Sequence, residues 1–208
     1  MQTEVLPADS SNAIPRALEI LKAGGLVAFP TDTVYGVGSL AFDRKAIESI
    51  YAAKDRPIEK AIPILIGTLD DLEKVGTDIP ETAHKLAARF WPGPLTILVP
   101  KRADLPAAVS ATATVGVRVP DHHVARSLLR AAGPMAVTSA NISGGENPLT
   151  ARQVQQQLGG RIALILDGGR TPGGIPSTLM ACTDPELRIL REGPLSLEEL
   201  RSALHNSN

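Results

Sequence analysis

The residues best suited to binding a negatively charged ligand begin with Lys54 and Arg56, in the run Lys-Asp-Arg-Pro. Arginine offers a two-pronged contact to phosphate or carboxylate, and lysine offers a compact positive charge. Lys60 adds a further cation four residues beyond Arg56. The pattern predicts a phosphate clamp. Because the run follows a predicted helix over residues 43–53, cations that only stabilise the helix C-terminus are the alternative.

Arg118 lies within a second candidate segment, Thr-Val-Gly-Val-Arg-Val-Pro, which is predicted to be a strand over residues 115–119. Side chains alternate between the two faces of a strand, so the valines share one face while Thr114, Gly116 and Arg118 share the other. An arginine beside a glycine and a threonine is unlike a packed core. The pattern indicates a pocket wall that holds an anion; an edge strand with Arg118 in solvent is the alternative.

Hydroxyl and glycine residues follow several predicted strands. The run 30–38 reads Pro-Thr-Asp-Thr-Val-Tyr-Gly-Val-Gly and leaves the first predicted strand, and its two glycines would let a ligand approach the backbone. It is not a Walker loop, because no Gly-Lys-Ser/Thr follows. Two further segments are candidates for binding a ligand. One is Thr-Ser-Ala-Asn at 138–141, and the other is the glycine-rich run 168–174, which leads to 176–178 and 191–193. Turns that satisfy their own backbone are the alternative for each.

Metal and nucleophile chemistry have little support in the sequence. The single Cys182 excludes an internal disulfide and a multi-cysteine metal site. None of the four histidines has a metal-binding spacing, and the rings of the adjacent His122 and His123 are expected to diverge. We find no nucleophile, base and acid that form a triad.

Charge and composition restrict the partners. Lys plus Arg is 21 and Asp plus Glu is 22, which gives a net charge of -1, so any nucleic acid would have to bind a local patch. Six aromatic residues are too few for a base-stacking platform. No apolar run approaches the ~18–20 residues that cross a bilayer, and no signal peptide is evident. We expect a cytoplasmic protein without membrane contact.

Predicted helices and strands alternate along the whole chain, which indicates a single α/β domain over residues 1–208. Short connections favour a mixed, twisted sheet with flanking helices. Asp43, Thr150 and Ser196 are expected to cap helices. The predicted helices are 12–23, 43–53, 69–75, 80–90, 121–132, 150–158 and 196–204. The predicted strands are 26–29, 62–66, 95–99, 115–119, 135–138, 162–166, 178–181 and 187–190.

The ordered set of motifs resembles the threonylcarbamoyl-AMP synthase family, whose domain is called YrdC-like, over residues 18–193. The motifs are PTDTVYGVG, KDRP, WPGPLT, VGVRVP, TSANISG, PST and REG. The resemblance implies a concave basic pocket on a YrdC-like sheet, in the short form without an extra C-terminal domain. It also implies a nucleotidyltransferase that joins L-threonine, bicarbonate and ATP into threonylcarbamoyl-AMP and pyrophosphate. A separate transferase system then modifies adenosine 37 of tRNA.

The resemblance also implies the site residues. Threonine is expected to contact Thr33, Arg118, Val137 and Ser177. The catalytic pair Lys54 and Arg56 is expected at the phosphates of ATP. The other expected nucleotide contacts are Lys60, Thr114, Ser139, Asn141, Asn147 and Arg191. Mg²⁺ is expected to accompany ATP, with no metal held by Cys or His and with Asp32 as the acidic candidate for a metal or amine contact.

Three positions depart from the family pattern K-x-R-P-x-x-N-P-L, which is followed by a histidine on the threonine side. Lys60 stands at the Asn position, Ala61 at the Pro position and Leu65 at the His position. Two other functions stay open. One is a module that binds double-stranded RNA or tRNA without catalysis. The other is a carbamoyl-adenylate enzyme like the domain of hydrogenase-maturation proteins, which carry cysteine pairs that this chain lacks.

Overall fold

Ten strands form one sheet in the computed structural model, which describes residues 2–183 and 187–205. The strands are β1 (Glu4–Pro7), β2 (Val27–Phe29), β3 (Gly36–Leu40), β4 (Ile64–Leu65), β5 (Leu95–Pro100), β6 (Thr114–Arg118), β7 (Met135–Ser139), β8 (Leu164–Asp167), β9 (Thr178–Ala181) and β10 (Arg188–Arg191). The helices are α1 (Ala13–Lys22), α2 (Arg44–Lys54), α3 (Glu81–Phe90), α4 (His123–Ala132), α5 (Ala151–Leu158) and α6 (Leu197–His205), with a 3-10 helix over Leu69–Lys74.

The sheet is mixed, as the short connections predicted. Its spatial order is β1-β8-β2-β3-β7-β4-β6-β5-β9-β10. Four neighbouring pairs are parallel: β1 with β8, β8 with β2, β4 with β6, and β5 with β9. The other five pairs are antiparallel. Strands from distant parts of the sequence therefore become neighbours near the middle of the sheet.

Local sequence explains where several helices begin. The Asp43 carboxylate accepts from the backbone N–H of Ala46 at 3.0 Å, which satisfies a free donor at the start of α2. Thr150 and Gln153 form a capping box on α5. Ser196 and Glu199 form another at α6, where the serine hydroxyl donates to the Glu199 carboxylate at 2.7 Å. The three predicted caps are confirmed.

The second half of the segment after β2 forms β3, a strand that the sequence does not predict, so the alternative of a tight turn does not hold there. Gly36 and Gly38 are needed because β7 packs closely against them. A Cβ on Gly38 would lie 2.4 Å from the carbonyl oxygen of Ala136, and one on Gly36 would lie 2.7 Å from Val137 Cγ1. The glycines thus admit a neighbouring strand. The sequence does not predict strand β1, because Glu-Val-Leu-Pro shows no alternation of polar and apolar residues, although its burial alternates.

Hydrophobic side chains pack in two clusters. The larger one includes residues of α2, α3, α5 and α6, together with Ile64 and Val117 of the sheet. The smaller one includes residues of α1 and α4 with Leu65 and Val137 of the sheet. Because neighbouring residues of a strand face opposite ways, Ile64 and Leu65 assign the two clusters to opposite faces. None of the described helices combines the length and apolarity needed to cross a membrane.

Candidate active site

A cavity of about 260 Å³ lies beside the smaller cluster, on the face that carries Leu65 and Val137. Strands β3, β4, β5, β6, β7, β9 and β10 contribute to its wall, together with the loops next to them. The lining residues are Thr31, Thr33, Val34, Gly36, Arg56, Ala61, Pro63, Leu65, Thr96, Leu98, Gly116, Arg118, Val137, Thr138, Ser139, Pro176, Ser177, Leu179 and Arg191.

Arg118 is buried in this wall with 5% of its surface exposed. Strand β6 lies between β4 and β5, so the edge-strand alternative is wrong and the predicted alternation is confirmed. Its guanidinium donates to the Gly93 carbonyl at 2.8 Å and to Thr33 Oγ1 at 3.0 Å. It also donates to Asp32 Oδ1 at 2.5 Å. Burial lowers the pKa of Arg118, while the neighbouring Asp32 raises it.

Asp32 and Thr33 fix the orientation of this arginine. The carboxylate of Asp32 also accepts from the backbone N–H of Asp121 at 3.0 Å, so it stands behind Arg118. The Thr31 hydroxyl donates to the Val34 carbonyl at 2.7 Å, so it accepts from Thr33 at 3.0 Å. Because Thr33 gives its proton to Thr31 and accepts from Arg118, its hydroxyl retains one acceptor lone pair for a ligand.

A second polar group in the cavity wall consists of Ser177, Thr96 and Arg191. The Ser177 and Thr96 hydroxyl oxygens are 2.7 Å apart. Arg191 donates to the Ser177 carbonyl at 2.8 Å from Nη2 and 3.1 Å from Nε, and to the Ser177 hydroxyl at 3.1 Å. Burial lowers the pKa of Arg191, and the positive charges of Arg118 and Arg56 lower it further.

The two cations of the Lys-Asp-Arg-Pro run, Lys54 and Arg56, lie in different positions relative to the cavity. Arg56 lines the cavity and donates to the carbonyls of Lys60 at 3.2 Å and Ala61 at 2.8 Å. Lys54, the last residue of α2, is 1% exposed, and its ammonium donates to the carbonyls of Ser139 and Asn141. Burial and, secondarily, Arg56 lower the pKa of Lys54 to about 7. It lies directly behind the cavity wall.

The structure brings seven of the twelve site residues named above into the cavity wall: Thr33, Arg56, Arg118, Val137, Ser139, Ser177 and Arg191. The other five are Lys54, Lys60, Thr114, Asn141 and Asn147, which lie outside that wall. The Asn141 amide donates to the carbonyls of Ile142 and Gly145. The Thr114 hydroxyl pairs with that of Thr112 at 3.2 Å, at the start of β6.

The adjacent histidines are a correction to the sequence analysis. The rings of His122 and His123 stack, with centroids 4.9 Å apart and planes 18° apart, instead of diverging. His122 has an extended backbone conformation immediately before α4. Burial is the main cause that lowers the pKa of His122. Neither ring lines the cavity, and the side chain of His205 lies outside the described residues.

Thr96 is a cavity residue that the sequence analysis missed. A signal was available, because a threonine interrupts the apolar run Leu-Thr-Ile-Leu-Val of a buried strand. The cavity walls thus combine three arginines, several hydroxyls and an apolar side formed by Pro63, Leu65, Leu98, Val137 and Leu179. This arrangement suits a small ligand that carries negative charge and an apolar part. Positive charge and fixed donors here would stabilise developing anions.

Comparison with known proteins agrees with this geometry. The family model described as "Telomere recombination", Sua5/YciO/YrdC, matches residues 19–193. The threonylcarbamoyl-AMP synthase of Pyrococcus abyssi is 42% identical over 190 residues, which cover 90% of this chain and 56% of that protein. A putative threonylcarbamoyl-AMP synthase of Mycobacterium tuberculosis is 40% identical over 199 residues, which cover 95% of this chain and 92% of that protein.

The solved structures agree as well. The crystal structure of Pyrococcus abyssi Sua5 complexed with L-threonine has a TM-score of 0.93 and 39% identity, covering 98% of this chain and 61% of that one. This chain therefore spans little more than half of the Pyrococcus protein, and nearly all of the mycobacterial one. The family match covers most of the chain and includes every element of the cavity wall, so this chain belongs to the Sua5/YciO/YrdC family.

Proposed function

We propose that this protein condenses L-threonine, bicarbonate and ATP into threonylcarbamoyl-AMP and pyrophosphate. The observation that carries the proposal is the cavity where Arg118, Arg56 and Arg191 converge with Thr33 and Ser177. The relatives that share this chain's sequence at about 40% identity are named threonylcarbamoyl-AMP synthases. A related Sua5 structure is described as complexed with L-threonine, which supports threonine as the amino acid.

The amino acid is proposed to bind between Arg118, Thr33, Val137 and Ser177. Arg118 uses three of its five N–H groups within the protein: Nε donates to Gly93, Nη1 to Thr33 and Nη2 to Asp32. One N–H of each terminal nitrogen is left, and this pair could hold a carboxylate. The acceptor lone pair of Thr33 suits an N–H or O–H of the ligand. Val137 and Leu65, which stands where the family has a histidine, would supply apolar contact to the amino acid.

The nucleotide is proposed to bind beside the amino acid. Arg56, Ser139 and Arg191 line the cavity and would contact the phosphates and the sugar. Lys54 and Asn141 would support the nucleotide site from immediately behind Ser139. There the Lys54 ammonium contacts the main-chain carbonyls of Ser139 and Asn141. Lys60, Thr114 and Asn147 are proposed as contacts of the more distant parts of ATP. Lys60, an exposed cation, would replace the amide usual in the family.

The reaction proceeds in two bond-forming steps. The threonine nitrogen attacks the carbon of bicarbonate and, with loss of water, gives a carbamate. A carbamate oxygen then attacks the α-phosphorus of ATP, the bond to the β-phosphate oxygen breaks, and pyrophosphate leaves with the electron pair. Both steps need aligned reactants and neutralised charge more than a strong base. The three cavity arginines supply that charge.

Mg²⁺ is proposed to enter with ATP, bound to phosphate oxygens and water. Among residues 2–183 and 187–205, no group of three or more His, Cys, Asp or Glu side chains is placed to hold a metal ion. The candidate Asp32 is paired with Arg118 instead. These residues do not form a metal cage, so we assign none of them to Mg²⁺.

The product is proposed to supply a transferase system that modifies adenosine 37 of tRNA, with the cytoplasm as the compartment. The module that only binds RNA is not favoured, because the similar relatives carry names of synthases. The hydrogenase-maturation alternative is likewise not favoured by the relatives at about 40% identity.

Pyrophosphate release by the purified chain tests the proposal. Release should require threonine and bicarbonate together, and mass spectrometry should detect the threonylcarbamoyl-adenylate product. Arg118→Ala should raise the threonine KM far more than the ATP KM, because a carboxylate loses its forked partner. Arg56→Ala should act mainly on ATP. Release that ignores threonine in a folded protein would refute the proposal.

A further inference from the structure

We propose that Thr96 is a positioning residue that forces the Ser177 hydroxyl to donate its proton to a ligand oxygen in the cavity. The inference rests on the proposed function, because its ligand is L-threonine. Thr96 and Ser177 are both buried in the cavity wall, and their hydroxyl oxygens are 2.7 Å apart. The 2.7 Å distance alone does not say which of the two hydroxyls donates, and the proposal assigns the donor to Thr96.

The hydrogen-bond partners of the Ser177 hydroxyl limit where it can donate its proton. A hydroxyl carries one proton and two acceptor lone pairs. Arg191 Nη2 donates to Ser177 Oγ at 3.1 Å, so one lone pair is occupied. When Thr96 donates to Ser177, the second lone pair is occupied too. The Ser177 proton then has no partner within this group and is available to an acceptor oxygen in the cavity.

The opposite direction would leave a different proton for the ligand. If Ser177 donated to Thr96, the Thr96 proton would be the one without a partner, because within residues 2–183 and 187–205 Ser177 is the hydrogen-bond partner found for the Thr96 hydroxyl. Both residues line the cavity, so either direction leaves one hydroxyl proton for an acceptor there. We assign that proton to Ser177, because Arg191 holds both its main chain and its hydroxyl in place.

Packing holds Thr96 in the orientation that this role requires. Strand β5 pairs with β6 on one side and with β9 on the other, and Thr96 is opposite Leu179. Its methyl group points at Gly116, where an added Cβ would lie 3.0 Å from Thr96 Cγ2. Threonine has few χ1 choices because it is branched at Cβ. With the methyl against Gly116, the hydroxyl faces Ser177.

Arg191 holds Ser177, the hydrogen-bond partner of Thr96, in position. Its Nε and Nη2 both donate to the Ser177 carbonyl, at 3.1 and 2.8 Å, while Nη2 also reaches the hydroxyl. The main chain and the side chain of Ser177 are thus held by one guanidinium. The cavity then presents a donor at Ser177 and an acceptor at Thr33. Such a pair orients a ligand that carries both an acceptor oxygen and an N–H or O–H group.

Calorimetric titration of the full chain with L-threonine tests this role through a double-mutant cycle. We expect Thr96→Val to weaken binding about tenfold, equivalent to about 1.4 kcal/mol. Thr96→Ser, which restores the hydroxyl, should bind within about threefold of wild type. Ser177→Ala should weaken binding, and the double variant should bind no more weakly than Ser177→Ala, because Thr96 acts through Ser177.

A matched control separates this role from loss of any buried hydroxyl. Thr3 is buried and does not line the cavity, and its hydroxyl donates to the Ile162 carbonyl at 2.6 Å. Thr3→Val should lower the melting temperature and leave threonine affinity unchanged. Thermal melts establish that each variant is folded, and Thr96→Ala replaces Thr96→Val if the valine variant does not fold.

Two results would overturn the role of Thr96 while leaving the proposed function standing. One is wild-type affinity in Thr96→Val. The other is a double variant whose loss equals the product of the two single losses, since Thr96 would then act independently of Ser177. A folded wild-type chain that does not bind threonine even with ATP and bicarbonate present overturns both proposals together.

Discussion

Lys54 is a buried amine with a pKa lowered to about 7, against 10.5 in an unfolded chain. Above pH 7 the folded state releases this proton while the unfolded state keeps it until about pH 10.5. The free energy of unfolding should therefore rise with pH across that window, by up to about 1.4 kcal/mol per unit, and show no such slope below it.

The comparison of Lys54→Met with wild type isolates this effect. Urea unfolding from about pH 6 to about pH 9 should show a difference in unfolding free energy that changes with pH, since methionine does not titrate. Lys60→Met is the control, because the Lys60 side chain is exposed and its replacement should preserve the wild-type slope. A wild-type and Lys54→Met difference that stays constant with pH would contradict the lowered pKa.

Leu65 stands where the family usually has a histidine, and it lines the cavity with 5% of its surface exposed. A leucine neither donates nor accepts, so discrimination between threonine and serine rests on one methyl group, about 1–3 kcal/mol. We expect threonine to be preferred to valine, with measurable turnover of serine. Leu65→His should reduce the serine rate relative to threonine.

Pyrophosphate release with threonine, serine and valine measures this preference in the wild type and in Leu65→His. Leu65→Met, which keeps an apolar side chain of similar size, is the control and should leave the order unchanged. A serine rate at background in the wild type, unaltered by the histidine, would count against a role for Leu65 in selection.

Individual residues differ in how far sequence alone could place them. Strand alternation correctly put Arg118 on the face opposite the valines, because that rule is local. The pairing of Asp32 with Arg118 and of Thr96 with Ser177 spans 86 and 81 residues of sequence. Neither pairing follows from local pattern. Lys54 was correctly singled out as a cation, but its burial depends on how 139–141 packs over α2.

At the level of elements, the glycine-rich connection between β8 and β9 packs on the segment that carries Thr33. A Cβ on Gly173 would lie 2.5 Å from the Thr33 carbonyl oxygen and 2.8 Å from its Cα. Gly173→Ala should therefore push this connection away from Thr33 and weaken threonine binding, measured as a higher threonine KM in pyrophosphate release.

Gly169→Ala is the matched control for Gly173→Ala. Gly169 lies in the same connection with a φ of +79° and no atom within 4 Å of an added Cβ. Its replacement should lower stability by about 1–2 kcal/mol through backbone strain and leave the threonine KM unchanged. Equal KM changes in both variants would show that general loosening of the connection, and not displacement from Thr33, affects binding.

The elements themselves were largely predictable where hydrophobic periodicity and caps agree. Helices α2, α5 and α6 begin at the predicted capping residues. The predicted strand 62–66 shortens to β4, where Pro63 has no N–H to donate to a neighbouring strand. Strand β3 was missed because glycines usually mark turns, whereas here they admit β7, which is a long-range cause.

For the whole molecule, the continuous ten-stranded sheet predicts one cooperative unfolding transition. Both hydrophobic clusters share strands of that sheet, so neither can lose its packing alone. The single tryptophan, Trp91, is buried with its indole N–H donating to the Leu95 carbonyl at 2.7 Å. Its fluorescence and far-ultraviolet circular dichroism should give coincident midpoints in urea. Separate midpoints would contradict a single domain.

The cavity wall has a consequence for a chain that is still being synthesised. Thr33 and Arg118 come from the first and middle parts of the sequence, whereas Ser177 and Arg191 follow β8. A ribosome-bound chain that has emerged only through β8 contains Thr33 and Arg118 but lacks Ser177 and Arg191. Pairing of β9 with β5 must wait for that late segment. Completion of the cavity therefore requires the segment after β8, and a nascent chain that ends at β8 lacks residues that line it.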